Sequence, residues 1–275
     1  MQYPQLFRYP KFHTPVARRL FVIGLLLLLM LPTVEAQRKK VGVVLSGGGA
    51  KGVAHIGVLK VLEKAGIPVD VIVGTSMGSI VGGLYAIGYS ADQLDSLVRV
   101  QDWMFLLSDK VNRYDLPFGE KEQDGKYLLS VPFDRGKKRP SGFISGQNVY
   151  NLFSDLTIGY HDSLDFLQLP IPFACVAADM FHREEIVMKG GNLVQAMRAS
   201  MAIPGVFTPV RTGDRVLVDG GILNNFPTDV ARELGAEIVI GVDVQADLMK
   251  EDKLESVSGV IPQIINLLCT NTRRT

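Results

Sequence analysis

The sequence is poor in the residues that build metal and redox centres. Its 275 residues hold two cysteines, four histidines and one tryptophan. Two cysteines far apart, Cys175 and Cys269, cannot form a disulfide scaffold, and Cys175 lies in an apolar run where a buried free thiol is the usual state. Four scattered histidines without companion thiols give no zinc spacing. An excess of one charge is also missing. Lysine and arginine total 29 against 28 acidic residues, for a net charge of +1, which leaves no basic face of the kind that binds nucleic acid. There is no internal repeat and no low-complexity tract. The longest apolar run, residues 20–31, falls short of the ~20 residues needed to span a bilayer. With 47% hydrophobic and 21% charged residues the composition is globular, which excludes disordered, collagen-like and coiled-coil chains.

The short apolar run has a telling context. Arg8, Lys11, Arg18 and Arg19 precede it, and Val34-Glu35-Ala36 follows it. That order predicts a secretory signal peptide over residues 1–36, cleaved after Ala36, with residues 37–275 as the mature domain. The chain is therefore expected to be exported, to the periplasm or outer membrane of a Gram-negative cell and otherwise into the medium.

From residue 41 short β-rich runs alternate with helical periods. Strands are predicted at Val41–Leu45, 69–73, 171–178, 185–188, 216–218 and 237–242. Helices are predicted at 51–65, 77–87, Gln147–Leu156, 193–201 and 228–234. Ser90 and Gln93 form a capping box for one more helix, carried by Leu94, Leu97 and Val98. The strands are apolar almost throughout, as expected where helices cover both faces of a parallel sheet. Residues 109–146 break the rhythm and read as an inserted hairpin or lobe. The fold expected is α/β, a three-layer α/β/α sandwich around a mostly parallel sheet.

In open α/β sheets the functional residues gather past the carboxyl ends of the strands. Three such ends are unusual here. Ser46-Gly47-Gly48-Gly49-Ala50-Lys51-Gly52 follows the first strand. Successive glycines let backbone N–H groups converge, and the helix behind them adds its positive end, so the loop suits a phosphate or an oxyanion. Gly47, Gly49 and Gly52 also fit G-x-G-x-x-G. A dinucleotide site, however, needs an acid at the end of the second strand, where Gly74-Thr75-Ser76 stands, and a P-loop needs Lys where Val53 stands. No phosphate cofactor is expected.

Gly74-Thr75-Ser76-Met77-Gly78 is a G-x-S-x-G string between a strand and a helix. Small neighbours permit the strained turn that exposes a serine hydroxyl above the sheet, and this context favours a nucleophile over an ordinary tight turn. The third end, Val218-Asp219-Gly220-Gly221, sets an acid in close backbone quarters, either as a base or as a turn cap. A Ser, acid, His order is excluded, because the last histidine, His182, precedes Asp219. His55 lies within an apolar helix and reads as structural, while His161 and His182 fall in loop-like stretches. A Ser–Asp dyad, with Asp219 contacting Ser76 directly, is the simpler account.

Taken with Ala199-Ser200-Met201-Ala202-Ile203-Pro204-Gly205-Val206-Phe207, these motifs resemble the patatin-like phospholipase family over roughly residues 41–244. The resemblance implies hydrolysis of lipid acyl esters by a Ser–Asp dyad, without metal or cofactor. It makes Ser76 the nucleophile and Asp219 the base. It makes Gly48 and Gly49 the oxyanion-hole donors, with Met77 N–H as an addition, and Gly47, Lys51, Gly52, Gly74, Gly78, Gly220 and Gly221 the motif positions around them. A lipid or phospholipid partner and contact with a membrane surface follow, and no nucleic acid. The run Trp103-Met104-Phe105-Leu106-Leu107 is either core or an acyl groove. Arg135-Gly136-Lys137-Lys138-Arg139 is either a solvated turn or a headgroup contact, and Arg198 either holds an anionic substrate group or makes an ion pair. An acyltransferase with the same dyad, or a silent lipid-binding scaffold, would share these residues. Members often continue beyond the last helix, so a chain ending at Thr275 is either a fragment or a short member.

Overall fold

A computed structural model of the chain describes residues 38–111 and 142–245 continuously, together with 15–16, 19–23, 263 and 267. Residues 1–38 and 39–275 form two separate units. In the first, residues 15–16 and 19–23 are helical, and among all described residues no helix is long and apolar enough to cross a membrane. The Ala36 cleavage site, the Arg135–Arg139 stretch, most of the insertion at 109–146, and Cys269 lie outside the described residues.

The second unit begins with β1 (Val41–Leu45), all five residues buried, and a 3-10 turn (Gly49–Val53) leading into α1 (Ala54–Lys64). β2 (Val71–Thr75) is also buried throughout and leads into α2 (Met77–Ala86), α3 (Ala91–Val100) and α4 (Trp103–Leu106). β2 starts two residues later than its apolar pattern predicts. Asp70 is held by both its backbone N–H and its carboxylate to Val41, a side-chain bond where a ladder would otherwise begin. The capping box at Ser90 and Gln93 forms as the sequence predicts.

After the insertion come β3 (Gly142–Ile144), α5 (Gln147–Leu156), β4 (Leu164–Asp165), β5 (Phe173–Asp179), β6 (Glu184–Met188) and β7 (Gly190–Gly191). The unit continues with α6 (Leu193–Ser200), β8 (Gly205–Phe207), β9 (Val210–Thr212), β10 (Arg215–Asp219), α7 (Gly221–Asn224), α8 (Thr228–Glu233) and β11 (Ile238–Val242). The short strands and α7 gave no periodic signal, being shorter than one period of any pattern.

The main sheet runs in the order β11-β1-β2-β5-β10-β9, with β6 also paired to β5. β11, β1, β2 and β5 are parallel, and β6, β10 and β9 are antiparallel additions. The sheet is thus mixed but parallel in its centre, within the α/β architecture that the sequence pattern predicts. One face carries the larger core, in which Val43, Leu45, Ile72, Phe173 and Cys175 meet Leu59, Val81, Leu84 and Met197. The other carries a smaller core of Val44, Val71, Val73, Ala174 and Val176 against Val230 and Ala231 of α8. Full burial of each such valine, leucine or isoleucine contributes about 1.5–3 kcal/mol.

Pairing around β5 determines where the chemistry can be. β6 pairs with residues 175–179, so it must lie on the opposite edge from both β2, which pairs with 173–176, and β10, which pairs with 177–179. β2 and β10 therefore share one edge of β5, end to end and pointing at each other. Thr75 lies opposite Val176 and Asp219 opposite Ala177, so the last residues of the two strands converge.

Close packing fixes this region further. A Cβ on Gly78 would overlap the Leu45 carbonyl, so α2 can lie against β1 only through a glycine. Gly57, in contrast, is exposed on α1 with nothing near its missing Cβ. Gly78→Ala is expected to lower stability by about 1–3 kcal/mol, whereas Gly57→Ala raises it by about 0.5–1 kcal/mol. Urea denaturation of both variants would check this, and equal effects would contradict the packing described.

Candidate active site

Ser76 is the residue between β2 and α2, with φ 54° and ψ −123°. A positive φ costs a serine strain that only surrounding structure can hold. Among the described residues only Arg183 shares it outside glycine. Serine at this position would ordinarily cap the helix with its hydroxyl, a contact worth about 1 kcal/mol. Here the side chain makes no cap. Instead Ser76 Oγ donates to Asp219 Oδ2 at 2.6 Å.

The backbone of the turn is held from several sides. Ser76 N–H donates to Ser200 Oγ at 2.9 Å, and Ser76 O accepts from Ser79 Oγ at 2.6 Å and from Ser79 N–H at 2.9 Å. The hydroxyl of Thr75 donates to Asn224 O at 2.9 Å, tying the end of β2 to the end of α7.

Asp219 closes β10 and is only 5% exposed. Its Oδ1 accepts the Gly221 N–H at 2.8 Å, while its own N–H donates to Ala202 O at 2.9 Å. Burial away from water pushes its carboxyl up to about 6, against the opposing pull of the Ser76 hydroxyl and the Gly221 amide. The result is a carboxylate with a fixed hydroxyl donor and a proton affinity near neutrality. Such a pair can remove a proton from the serine while an electrophile approaches.

The glycine loop lies beside the turn. Gly47 N–H donates to Asn225 O at 3.2 Å and Lys51 N–H to Gly48 O at 3.2 Å, leaving the N–H groups of Gly48 and Gly49 without an acceptor among the described residues. Gly49 has φ 54°, and Gly48 passes so close to Val244 that a Cβ would sit 2.6 Å from its side chain. Gly52 lies against the side chain of Met77, which docks the loop onto the first turn of α2. Met77 opens that helix, so its N–H also has no intrahelical acceptor. Lys51 is exposed on the loop. Gly74 packs on the backbone of Gly78, and Gly220 on that of Val176.

None of the three candidate histidines hydrogen-bonds Ser76. His55 is fully buried beneath the loop and its Nε2–H donates to Ser46 O at 2.8 Å, with burial pushing the imidazole below its usual value. His161 binds Ser154 O. His182 Nδ1 bonds Asp179 Oδ2 at 2.6 Å in the β5–β6 turn, and that bond raises its pKa. Asp179, His182 and Glu184 place donor atoms within 4.8 Å of one another. Those atoms already have partners: Asp179 accepts the N–H groups of Phe181 and Val216, and Glu184 pairs with Arg215 at 2.9 Å.

Arg198 pairs with no carboxylate among the described residues. It is buried on α6, where Nη2 donates to Ser145 O and Thr208 O and the guanidinium stacks 5.0 Å over Phe207. Within α4, Leu106 is buried and Met104 is 84% exposed, so the apolar run divides between core and surface. Two residues at the site lacked any chemical signal of their own. Ser200 stands in the Ala199–Phe207 motif with nothing to mark its hydroxyl, and Asn225 lies four residues past the glycine pair.

A family model described as Patatin-like phospholipase matches residues 43–232. The chain is 34% identical over 206 residues to Patatin-like phospholipase domain-containing protein 6 of Mus musculus, covering 74% of this chain and 13% of that protein. It is 30% identical over 227 residues to an uncharacterized NTE family protein of Mycobacterium tuberculosis, covering 82% and 33%. It is 32% identical over 211 residues to Lysophospholipase NTE1 of Debaryomyces hansenii, covering 75% and 12%. The chain thus spans a third or less of the length of each of these relatives.

A buried carboxyl raised to about 6 has a consequence for stability. Its folded value lies above the unfolded one, so its contribution is complete below about pH 4 and is lost as pH rises through 6. Asparagine stays neutral throughout. Between pH 4 and pH 8 the wild type should lose about 2–3 kcal/mol relative to Asp219→Asn. Urea melts at the two pH values measure the gap, and a constant difference would contradict a buried, ionising Asp219.

Proposed function

Because the chain belongs to the patatin-like phospholipase family, we propose that it is a serine hydrolase of lipid acyl esters, acting on phospholipids or lysophospholipids. The observation that carries this reading is the 2.6 Å hydrogen bond from Ser76 to Asp219, made by a serine in a strained turn whose hydroxyl has abandoned its helix cap. The names of two relatives, a phospholipase-domain protein and a lysophospholipase, support the substrate class.

In this mechanism ionised Asp219 accepts the proton of Ser76 Oγ as the oxygen attacks the ester carbonyl. The N–H groups of Gly48 and Gly49, with that of Met77, receive the developing negative charge, each such donor being worth about 2.7–4 kcal/mol in the barrier. The alcohol or lysolipid departs with the proton returned from Asp219, leaving an acyl group on Ser76. Water, deprotonated by Asp219, then attacks the acyl carbonyl and releases the fatty acid. A carboxyl near 6 is a stronger base than an ordinary one and remains ionised at neutral pH.

Ser76→Ala and Asp219→Asn should each abolish hydrolysis of a short-chain nitrophenyl ester and of lysophosphatidylcholine while leaving the fold intact. In the wild type kcat/KM should fall as pH drops through about 6, where Asp219 takes up its proton. Near-wild-type turnover by Asp219→Asn would sink the dyad, and a fluorophosphonate adduct on a residue other than Ser76 would sink the nucleophile.

A further inference from the structure

The two reacting side chains come from different strands, yet both are anchored to one short stretch of backbone. Ser200, the last residue of α6, is fully buried. Its Oγ accepts the Ser76 N–H at 2.9 Å and donates to Val176 O at 2.6 Å. Two residues further on, Ala202 O accepts the Asp219 N–H at 2.9 Å. The end of α6 therefore grips the elbow through a side chain and the base through the backbone.

The details are specific to a hydroxyl. Ser76 N–H is a buried donor in a strained turn and is not part of any ladder, so it needs an acceptor from outside. Val176 O is a buried acceptor and needs a donor. A serine hydroxyl is the smallest side chain that can accept one bond and give the other at the same point. Because Ser76 N–H is used in this way, it is not available to a substrate oxyanion, which leaves Gly48, Gly49 and Met77 for that task.

We infer that Ser200 is a positioning residue for the reaction: by holding the Ser76 amide against β5 it sets the separation between Ser76 Oγ and Asp219. The inference rests on the dyad mechanism proposed above. Its consequence should be read in the titration of Asp219. Among the described residues no titratable side chain perturbs that carboxyl; burial raises it, and only the Ser76 hydroxyl and the Gly221 amide lower it. If the elbow slips and the Ser76 bond lengthens, one of the two lowering contacts weakens and the apparent pKa must rise.

The test compares the wild type with Ser200→Ala and Ser200→Cys by steady-state hydrolysis of a nitrophenyl ester from pH 5 to 9. Ser200→Ala should lower kcat by about 10²-fold, the scale of a misplacement near 1 Å, with KM within twofold. Its acid limb should move to higher pH, and Ser200→Cys, which keeps a weak donor and acceptor, should fall between the two. Loss of activity with an unmoved acid limb would reduce Ser200 to a general packing role and overturn the inference, as would unchanged kinetics. If the alanine variant does not fold, the cysteine variant is read against the wild type by the same two criteria.

Failure of the dyad reading is distinguishable. If the wild type hydrolyses no ester, that reading falls, while amide hydrogen exchange over residues 71–80 still decides the positioning role. Faster exchange at the elbow of folded Ser200→Ala or Ser200→Cys supports it, and unchanged exchange in the variants overturns it.

Discussion

Two strands that meet head to head along one edge of β5 govern the rest of the structure. β2 arrives from below and β10 from above, and neither can extend without colliding with the other. The chain must leave both strands at the meeting point, which forces a sharp turn after Thr75 and another after Asp219. Small residues at both exits, Gly78 against the Leu45 carbonyl and Gly220 against the Val176 carbonyl, are the steric consequence. Two side chains separated by 143 positions in sequence are thereby left facing each other at 2.6 Å.

That meeting point is buried, and burial shapes its electrostatics. A carboxylate removed from water is costly, and among the described residues Asp219 has neither an arginine nor a lysine to offset it. It is held by one amide and one hydroxyl, so its affinity for protons rises toward the range in which it can take one from serine. Asp179, the last residue of β5 before the turn into β6, is the useful contrast. It is equally buried, but several N–H groups and the His182 ring satisfy it, and its pKa falls. The same residue type on neighbouring strands thus has a raised proton affinity in one place and locks a turn in the other, according to how many donors surround it.

Much of this could be read from the sequence because it depends on local rules. An apolar run followed by G-x-S-x-G specifies a strand, a turn and a helix within ten residues. Glycines at 47–49 specify amides without side chains. Exclusion of a Ser, acid, His order needed only the positions of His182 and Asp219 along the chain, whereas His161 and His182 themselves are set aside by their partners in the structure. What could not be read depended on which strand lies beside which. The antiparallel placement of β10 follows from pairing partners dozens of residues away, and nothing in Arg215–Asp219 alone announces its direction. Ser200 stood in the Ala199–Phe207 motif with no legible role of its own, because the contacts it makes exist only where α6 meets the elbow. Arg198 suggested an ion pair because arginine usually makes one. Instead it clamps two backbone carbonyls and an aromatic ring, an arrangement with no pattern in the sequence.

Cys175 lies on β5 between the edge that carries β2 and the edge that carries β6. It is fully buried, and its thiol is pushed well above the usual range by burial. A sulfur so placed is invisible to any reagent until the helices covering that face of the sheet, α2 and α6 among them, lift away. Lifting them dislodges Ser76, at the start of α2, from Ser200, at the end of α6, and with that its alignment to Asp219. The protein therefore carries an internal clock for its own dismantling, in which the first moment the sulfur becomes chemically accessible is also the moment the two oxygens lose their register.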